Sequence, residues 1–163
     1  KRSGSASRRR WPRRCGRRRV NELLGIHRFV YWRLTSDAAM AVLVGDRIYG
    51  REAPQGAAYP LVLFNVQSAT DLLGAGAARL WMDALVQVKA VGPGAASELS
   101  PIADRLDALL HVAEPVVVSL DGKSYQIHGA HRERAIGYDE VVAGQVYWHL
   151  GGLYRVFCTA IGG

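Results

Sequence analysis

The stretch Arg79–Val91, with the sequence RLWMDALVQVKAV, decides the fold because apolar and polar residues alternate along it. One set of alternate positions carries the apolar side chains Leu80, Met82, Ala84, Val86, Val88 and Ala90. The opposing positions include the polar side chains Arg79, Asp83, Gln87 and Lys89. A period of two is typical of a β-strand with one buried face, so we predict the best-defined strand of the chain here, ended by Gly92-Pro93-Gly94.

Two elements are predicted before this strand. An amphipathic helix begins after Asn21, a possible N-cap, and ends at Gly45, because apolar residues recur at three- and four-residue spacing: Leu23, Leu24, Val30, Tyr31, Leu34, Ala38 and Ala41. After a loop over Gly50–Tyr59, the stretch Leu61–Gln67 alternates as a strand, with one face formed by Val62, Phe64 and Val66. Glycines make Asp71–Ala78 a predicted loop or hairpin tip.

A second helix and three further strands are predicted after it. Ser100-Pro101 supplies a cap residue and a first-turn proline, and the buried stripe consists of Ile102, Leu106, Leu109 and Leu110. Asp121-Gly122 predicts a hairpin turn between Val116–Val118 and Tyr125–Ile127, and Val146–Ala160 predicts a last strand. Gly151-Gly152 either turns a hairpin or marks a bulge. The expected fold class is α+β, with one mostly antiparallel β-sheet and two α-helices packed on one face.

Length and charge divide the chain into two parts. Its 163 residues suit one domain, which we place at residues 20–163. The net charge of +7 is misleading, because residues 1–19 hold 10 of the 21 basic side chains and no acid. Removing those ten leaves 11 basic against 14 acidic residues, so residues 20–163 carry a net charge of −3. A nucleic-acid-binding role would therefore depend wholly on the extension.

The extension over residues 1–19 has a composition that predicts disorder when the chain is alone. It is either a basic arm that gains order on an anionic partner or upstream sequence outside the native product, and both interpretations stay open. As an arm it would contact anions through Arg8, Arg9, Arg10, Arg13, Arg14, Arg17, Arg18 and Arg19.

Patterns for catalysis, cofactor binding or metal binding are weak, so we expect neither an enzyme nor a cofactor. His128 and His131 have the spacing of metal ligands on a helix, but they fall on a predicted strand, where they would face opposite sides. The glycines around residues 74–76 lack the lysine of a phosphate loop. Cys15 and Cys158 support neither a disulfide framework nor a zinc site. We also find no apolar run of about 18 residues for a membrane span and no secretory signal pattern.

Interfaces between subunits are the more promising sites. Charges of both signs at Arg132, Glu133 and Arg134 are common where subunits meet or where a sheet edge is protected. An exposed strand end would carry the same pattern. Four large aromatic residues on predicted strands are either interface anchors or core, namely Trp81, Tyr147, Trp148 and Tyr154.

The order of these elements resembles a known family. Val44–Tyr49 after the first helix, then Ala53-Pro54-Gln55 and Tyr59–Val62, is similar to the opening of the tail completion, or tail terminator, proteins of siphophages and gene transfer agents. The match continues through Val86–Ala90, Ile102–Leu106 and Tyr154-Arg155-Val156, and covers about residues 21–160. Residues 1–19 match nothing in the family pattern.

The resemblance implies a structural role in particle assembly. Such subunits form a ring, usually hexameric, that caps the tail tube, joins it to the stopper protein of the neck and leaves a lumen for DNA. A mildly acidic domain suits a lumen through which DNA slides without sticking. Assembly in the host cytoplasm and a place at the tail–neck junction are implied as well. The alternatives are a neck or head-completion subunit and a nucleic-acid-binding module that uses the basic arm.

Overall fold

The computed structural model describes residues 22–75 and 78–161. The predicted cap Asn21 and the arginine-rich extension therefore lie outside the described residues. The elements are, in chain order, α1 Glu22–Thr35, α2 Ala38–Val44, β1 Ile48–Gly50, β2 Leu61–Leu73, β3 Arg79–Pro93, α3 Ala96–Leu110, β4 Val116–Leu120, β5 Lys123–Val142 and β6 Gln145–Ile161.

The six strands found in residues 22–75 and 78–161 form one sheet in the order β1-β2-β3-β6-β5-β4. The α+β class is confirmed, but the expectation of a mostly antiparallel sheet with two helices was wrong, since the sheet is mixed and the described residues form three helices. The mixed character comes from β1, which runs parallel to β2. Parallel neighbours require a return connection, and the loop over residues 51–60 carries the chain from the end of β1 back to the start of β2.

Strand β3 confirms the alternating pattern. Its side chains at Ala84, Val86 and Val88 are fully buried beneath the helices, and the same face continues onto the neighbouring strands. Val62 and Phe64 of β2 extend it on one side. On the other side, β6 contributes Tyr154, Val156 and Cys158. This apolar face of β2, β3 and β6 is the floor of the core.

The first helix differs from the prediction in two ways. The helical segment breaks at Ser36-Asp37, because the side chain of Asp37 caps α2 by accepting a 2.8 Å hydrogen bond from the amide of Met40. The predicted apolar face was also partly wrong, since Leu24 and Tyr31 are exposed. The buried stripe of α1 is formed by Ile26, Phe29, Val30 and Leu34.

The third helix begins at Ala96, four residues before the predicted start at Ser100, so that Pro101 lies inside the helix. Its buried stripe at Ile102, Leu106, Leu109 and Leu110 is confirmed. Helix α3 also contacts the sheet and both other helices, which places the core between α1, α3 and the apolar face.

Two strands are longer than predicted. Strand β2 continues to Leu73, which restricts the predicted loop after it, and β5 continues past the predicted Tyr125–Ile127 as far as Val142. The second half of β5 is exposed on both faces, so its sequence shows no alternation of apolar and polar residues. The extension of β5 could not be predicted for that reason. The hairpin turn at Asp121-Gly122 is confirmed, and both residues have positive φ.

Gly151 and Gly152 turn no hairpin and lie inside β6, next to a register shift between Arg132 and Arg134 of β5. A Cβ atom on Gly151 would lie 2.2 Å from the carbonyl oxygen of Val88. Glycine is therefore required by the close approach of β6 to β3.

Candidate interaction surfaces

The two histidines at metal-ligand spacing contact different partners. His128 hydrogen-bonds Thr159, and the His131 ring lies 6.0 Å from that of Phe157. Across residues 22–75 and 78–161, no three His, Cys, Asp or Glu side chains gather in a way that could hold a metal ion. No helix within those ranges is long and apolar enough to cross a membrane.

The four candidate aromatic anchors lie in unlike surroundings. Tyr154 is only 1% exposed and is part of the core, which was the alternative interpretation for it. Trp148 is half-buried against the core, and Tyr147 is half-buried with its ring 5.0 Å from that of Tyr59. Trp81 is exposed near the end of the β2–β3 hairpin. The structure therefore does not bring the four together in one patch.

The charged run Arg132, Glu133 and Arg134 lies exposed on β5. Arg132 is 3.4 Å from a carboxylate oxygen of Asp107, and Glu133 accepts a hydrogen bond from Arg155. That bond holds the pKa of Glu133 below its usual value. Two of the three charges are thus engaged within the chain.

Arg155 links three strands. From β6 its guanidinium bonds Glu133 of β5 on one side, and on the other its Nη1 donates to both carboxylate oxygens of Asp83 in β3, at 3.0 and 2.9 Å. The face of the sheet away from the helices is therefore held by a line of charges.

Apolar side chains are exposed at two hairpin tips. The β2–β3 tip carries Leu72, Leu73 and Leu80, with Leu73 exposed by 60%, and the β5–β6 tip carries Val141, Val142 and Val146, with Val141 exposed by 66%. The register places the two tips at opposite ends of the sheet. Sequence reasoning missed both, although an apolar pair beside a glycine-containing turn was the signal in each case.

Both edges of the sheet are only partly covered. On one edge, β1 pairs with residues 62–64 of β2, and residues 67–73 beyond it are exposed. On the other edge, β4 pairs with residues 123–127 of β5 and Val112 bridges Ala130, whereas residues 131–142 are exposed apart from half-buried Ile136. We call residues 65–73 the free β2 segment and residues 131–142 the free β5 segment.

The buried His149 of β6 contacts two side chains of the free β5 segment. The ring of His149 stacks on Tyr138 with centroids 4.5 Å apart, and its Nε2 lies 3.0 Å from a carboxylate oxygen of Glu140. Lys89 donates a 2.7 Å hydrogen bond to the Tyr138 hydroxyl. Burial lowers the pKa of His149, and the charge of Lys89 lowers it further against the opposing effect of Glu140.

Cys158 lies in the core and is fully buried. Its Sγ is 3.9 Å from the carbonyl oxygen of Glu22, and burial raises the pKa of the thiol to about 12. A thiol so rarely ionised is a poor nucleophile, which agrees with a packing role.

The structure defines a small α+β domain with exposed strand edges and exposed apolar hairpin tips at its margins. A sequence profile for the family described as tail completion protein gp17 matches residues 28–159, and the chain belongs to this family. The resemblance seen in the sequence is confirmed, and it gives the chain a structural role in a phage-type tail.

Solved structures support the fold. A chain from the virion of a native gene transfer agent particle superposes with a TM-score of 0.60 at 19% identity, covering 79% of this chain and 90% of that one. A second solved protein gives a lower TM-score of 0.47 at 16% identity, covering 83% of this chain and 94% of that one. No curated protein sequence matches the chain significantly.

Proposed function

We propose that the chain forms a ring, hexameric as is usual for such subunits, that caps the tail tube and joins it to the stopper protein of the neck. The ring encloses a lumen through which DNA passes without sequence-specific binding, and it lies at the tail–neck junction after assembly in the host cytoplasm. Family membership over most of the chain carries this proposal.

The two hairpin tips support the proposal. A subunit between a tube and a neck needs two contact surfaces at opposite ends, and exposed apolar side chains are typical of such surfaces. The β2–β3 tip and the β5–β6 tip meet that requirement, because they lie at opposite ends of the sheet and differ in sequence. One tip then binds the tube protein and the other binds the neck protein.

The charge distribution also supports a DNA lumen. Residues 20–163 carry a net charge of −3, so they do not attract the phosphate backbone. The arginines of residues 8–19 suit a different task, the binding of phosphate or of an acidic neighbour.

The first experiment measures mass and shape. The full chain and a chain beginning at Val20 are purified, weighed by multi-angle light scattering and imaged by electron microscopy, with and without tail tubes. Hexameric rings, or rings that appear on addition of tubes, are expected, and the two chains show whether the extension contributes. A stable monomer that ignores tubes and binds DNA only with the extension would favour the nucleic-acid-binding module.

The second experiment tests the tips separately. Leu80→Asp and Val146→Asp each place a charge in one tip, and Val42→Asp is the matched control because Val42 is 87% exposed on α2, away from both tips. We expect each tip variant to keep the ring and to lose binding to one partner, either tubes or neck protein, while the control binds both. Full binding by both tip variants would contradict the assignment of partners to tips.

A further inference from the structure

The geometry points to a specific joint between neighbouring copies, in which the free β2 segment of one copy pairs as an antiparallel strand with the free β5 segment of the next. This inference rests on the proposed ring and specifies which surfaces close it. The occupant of each open edge is a second copy of the same chain.

The edges match in the position of their open parts. Register through the sheet aligns Phe64 with Val88, Gly152 and Ala135 in turn, so β1 covers its edge at the level of residues 135–137 of β5. The free β2 segment thus lies toward the β2–β3 tip, and the free β5 segment lies toward the β5–β6 tip. Each edge is therefore stepped: a short strand covers one part of it and leaves the other part open. The open parts of the two edges lie toward opposite ends of the sheet.

Sliding one copy along the strands brings the two open parts side by side. When the free β2 segment lies beside the end of the free β5 segment, β1 passes beyond the neighbour's β5–β6 tip. Strand β4 of the neighbour then passes beyond the β2–β3 tip, so neither short strand collides. Along the sheet β2 runs toward the β2–β3 tip and β5 runs the opposite way, so copies with the same orientation meet as antiparallel strands.

The required shift fixes the tilt of the strands. It is about seven or eight residues, or roughly 25 Å at the rise of an extended strand. Because β2 of one copy joins β5 of the next while β1 and β4 pass beyond the tips, each copy advances the sheet by four strands, or about 19 Å at the usual spacing. The strands therefore tilt by about 50° from the ring axis, which is more than the roughly 35–45° of closed barrels. The contact is heterologous, so it forms a ring where the repeated rotation closes and a filament where it does not.

The free β2 segment lacks the usual protection of an edge strand. Isolated edges are normally guarded by charges, prolines or short length. Residues 65–73 contain one charge, Asp71, which is already 3.3 Å from Arg79. On the free β5 segment, Arg132, Glu133 and Glu140 also have partners inside the chain. Pairing with a second copy satisfies the open backbone N–H and C=O groups along the outer edges of the two free segments.

The test is thiol cross-linking in a Cys15→Ser background, where buried Cys158 stays unreactive. Ser68→Cys and Asp139→Cys place one exposed thiol on each free segment, and a short bismaleimide spans the joint. We expect the double variant to give a ladder of two, three and more linked copies, and a mixture of the two single variants to give dimers only. Each single variant alone, and Ser36→Cys combined with Asp139→Cys, serves as a control without a ladder.

Hydrogen exchange provides a second measurement on the unmodified chain. Amides of residues 67–73 and 131–142 are expected to exchange at least tenfold more slowly in rings than in dilute single chains. Rings without a ladder and without this protection overturn the strand joint and leave the proposed function intact. A ladder of open filaments without rings keeps the joint and removes the ring, and absence of both rings and ladder removes both.

Discussion

Strand β3 and the free β5 segment are both long strands of one sheet, yet they differ in almost every physical respect. Strand β3 has neighbours along both edges and buries one face completely at Ala84, Val86 and Val88. Among the residues that the structure describes, the free β5 segment pairs only with β6, and it exposes nearly all of its side chains. The difference teaches that β3 holds the single chain together, whereas the free β5 segment is the part left available for the subunit joint proposed above.

The largest effect separating the two regions is expected from glycines of β6 and β5. Gly151→Ala forces a Cβ atom to within 2.2 Å of the Val88 carbonyl oxygen and 2.7 Å of the Lys89 Cα, and should cost more than about 3 kcal/mol in the free energy of unfolding. Gly137→Ala on the free β5 segment meets nothing nearer than 3.5 Å and should change it by less than about 1 kcal/mol. Urea unfolding measures the free energy of unfolding of both variants. Equal losses in the two would contradict the difference drawn between the sheet centre and the free β5 segment.

A core truncation should give the next largest difference. Val86→Ala opens a cavity beneath the helices, because Val86 is fully buried, and should cost about 2 kcal/mol. The same change at exposed Val141 should stay within about 0.5 kcal/mol in the single chain. Thermal and urea unfolding measure both, and a costly Val141→Ala would show that the β5–β6 tip is packed within the chain.

Acidification should remove the stability that neutral His149 provides. The folded pKa of His149 is lowered, so the unfolded chain takes up the proton first. Stability from the neutral ring is complete above the usual pKa of about 6.5 and is lost as the pH falls from there toward the lowered folded pKa. Urea unfolding between pH 8 and pH 5 should show a smaller loss in His149→Gln than in the unaltered chain. His111→Gln, at an exposed position, is the control and should keep the original slope.

The smallest expected difference compares the two carboxylates on Arg155. Asp83→Asn removes charge from the bond that ties β6 to β3 and should cost about 1 kcal/mol. Glu133→Gln removes the partner on β5, which is more exposed, and should cost less. A salt titration of unfolding checks the pair, because the exposed interaction should be screened first.

The same contrast explains what sequence reasoning could and could not find. The alternation in Arg79–Val91 and the stripe from Ile102 to Leu110 were visible because burial selects apolar residues with a period. The extension of β5 was not visible, since both of its faces are exposed. The parallel pairing of β1 with β2 was not predicted because three residues carry no period, and the break at Asp37 was missed because its cap competes with a continuous apolar pattern.

The candidate surfaces were only partly predictable. The charged run at residues 132–134 was singled out and lies on an open edge, but its use as a subunit contact remains a proposal. Spacing alone could not tell which of the four aromatic residues are buried. On β6, for example, Tyr154 is buried and its neighbour Leu153 on the opposite face is only half-buried. Which tips and edges stay open depends on strand pairing, and pairing is a long-range property of the fold.

The buried thiol of Cys158 can report how often the folded domain opens. The side chain is fully buried and its Sγ lies 3.9 Å from the carbonyl oxygen of Glu22 in α1, so a thiol reagent reaches it only when the packing around it opens. The raised pKa of the thiol, about 12, slows its reaction further. With Cys15 replaced, the rate of labelling therefore counts opening events of the folded domain. The same reaction on assembled particles would report how long a subunit survives in place, with no label added beforehand.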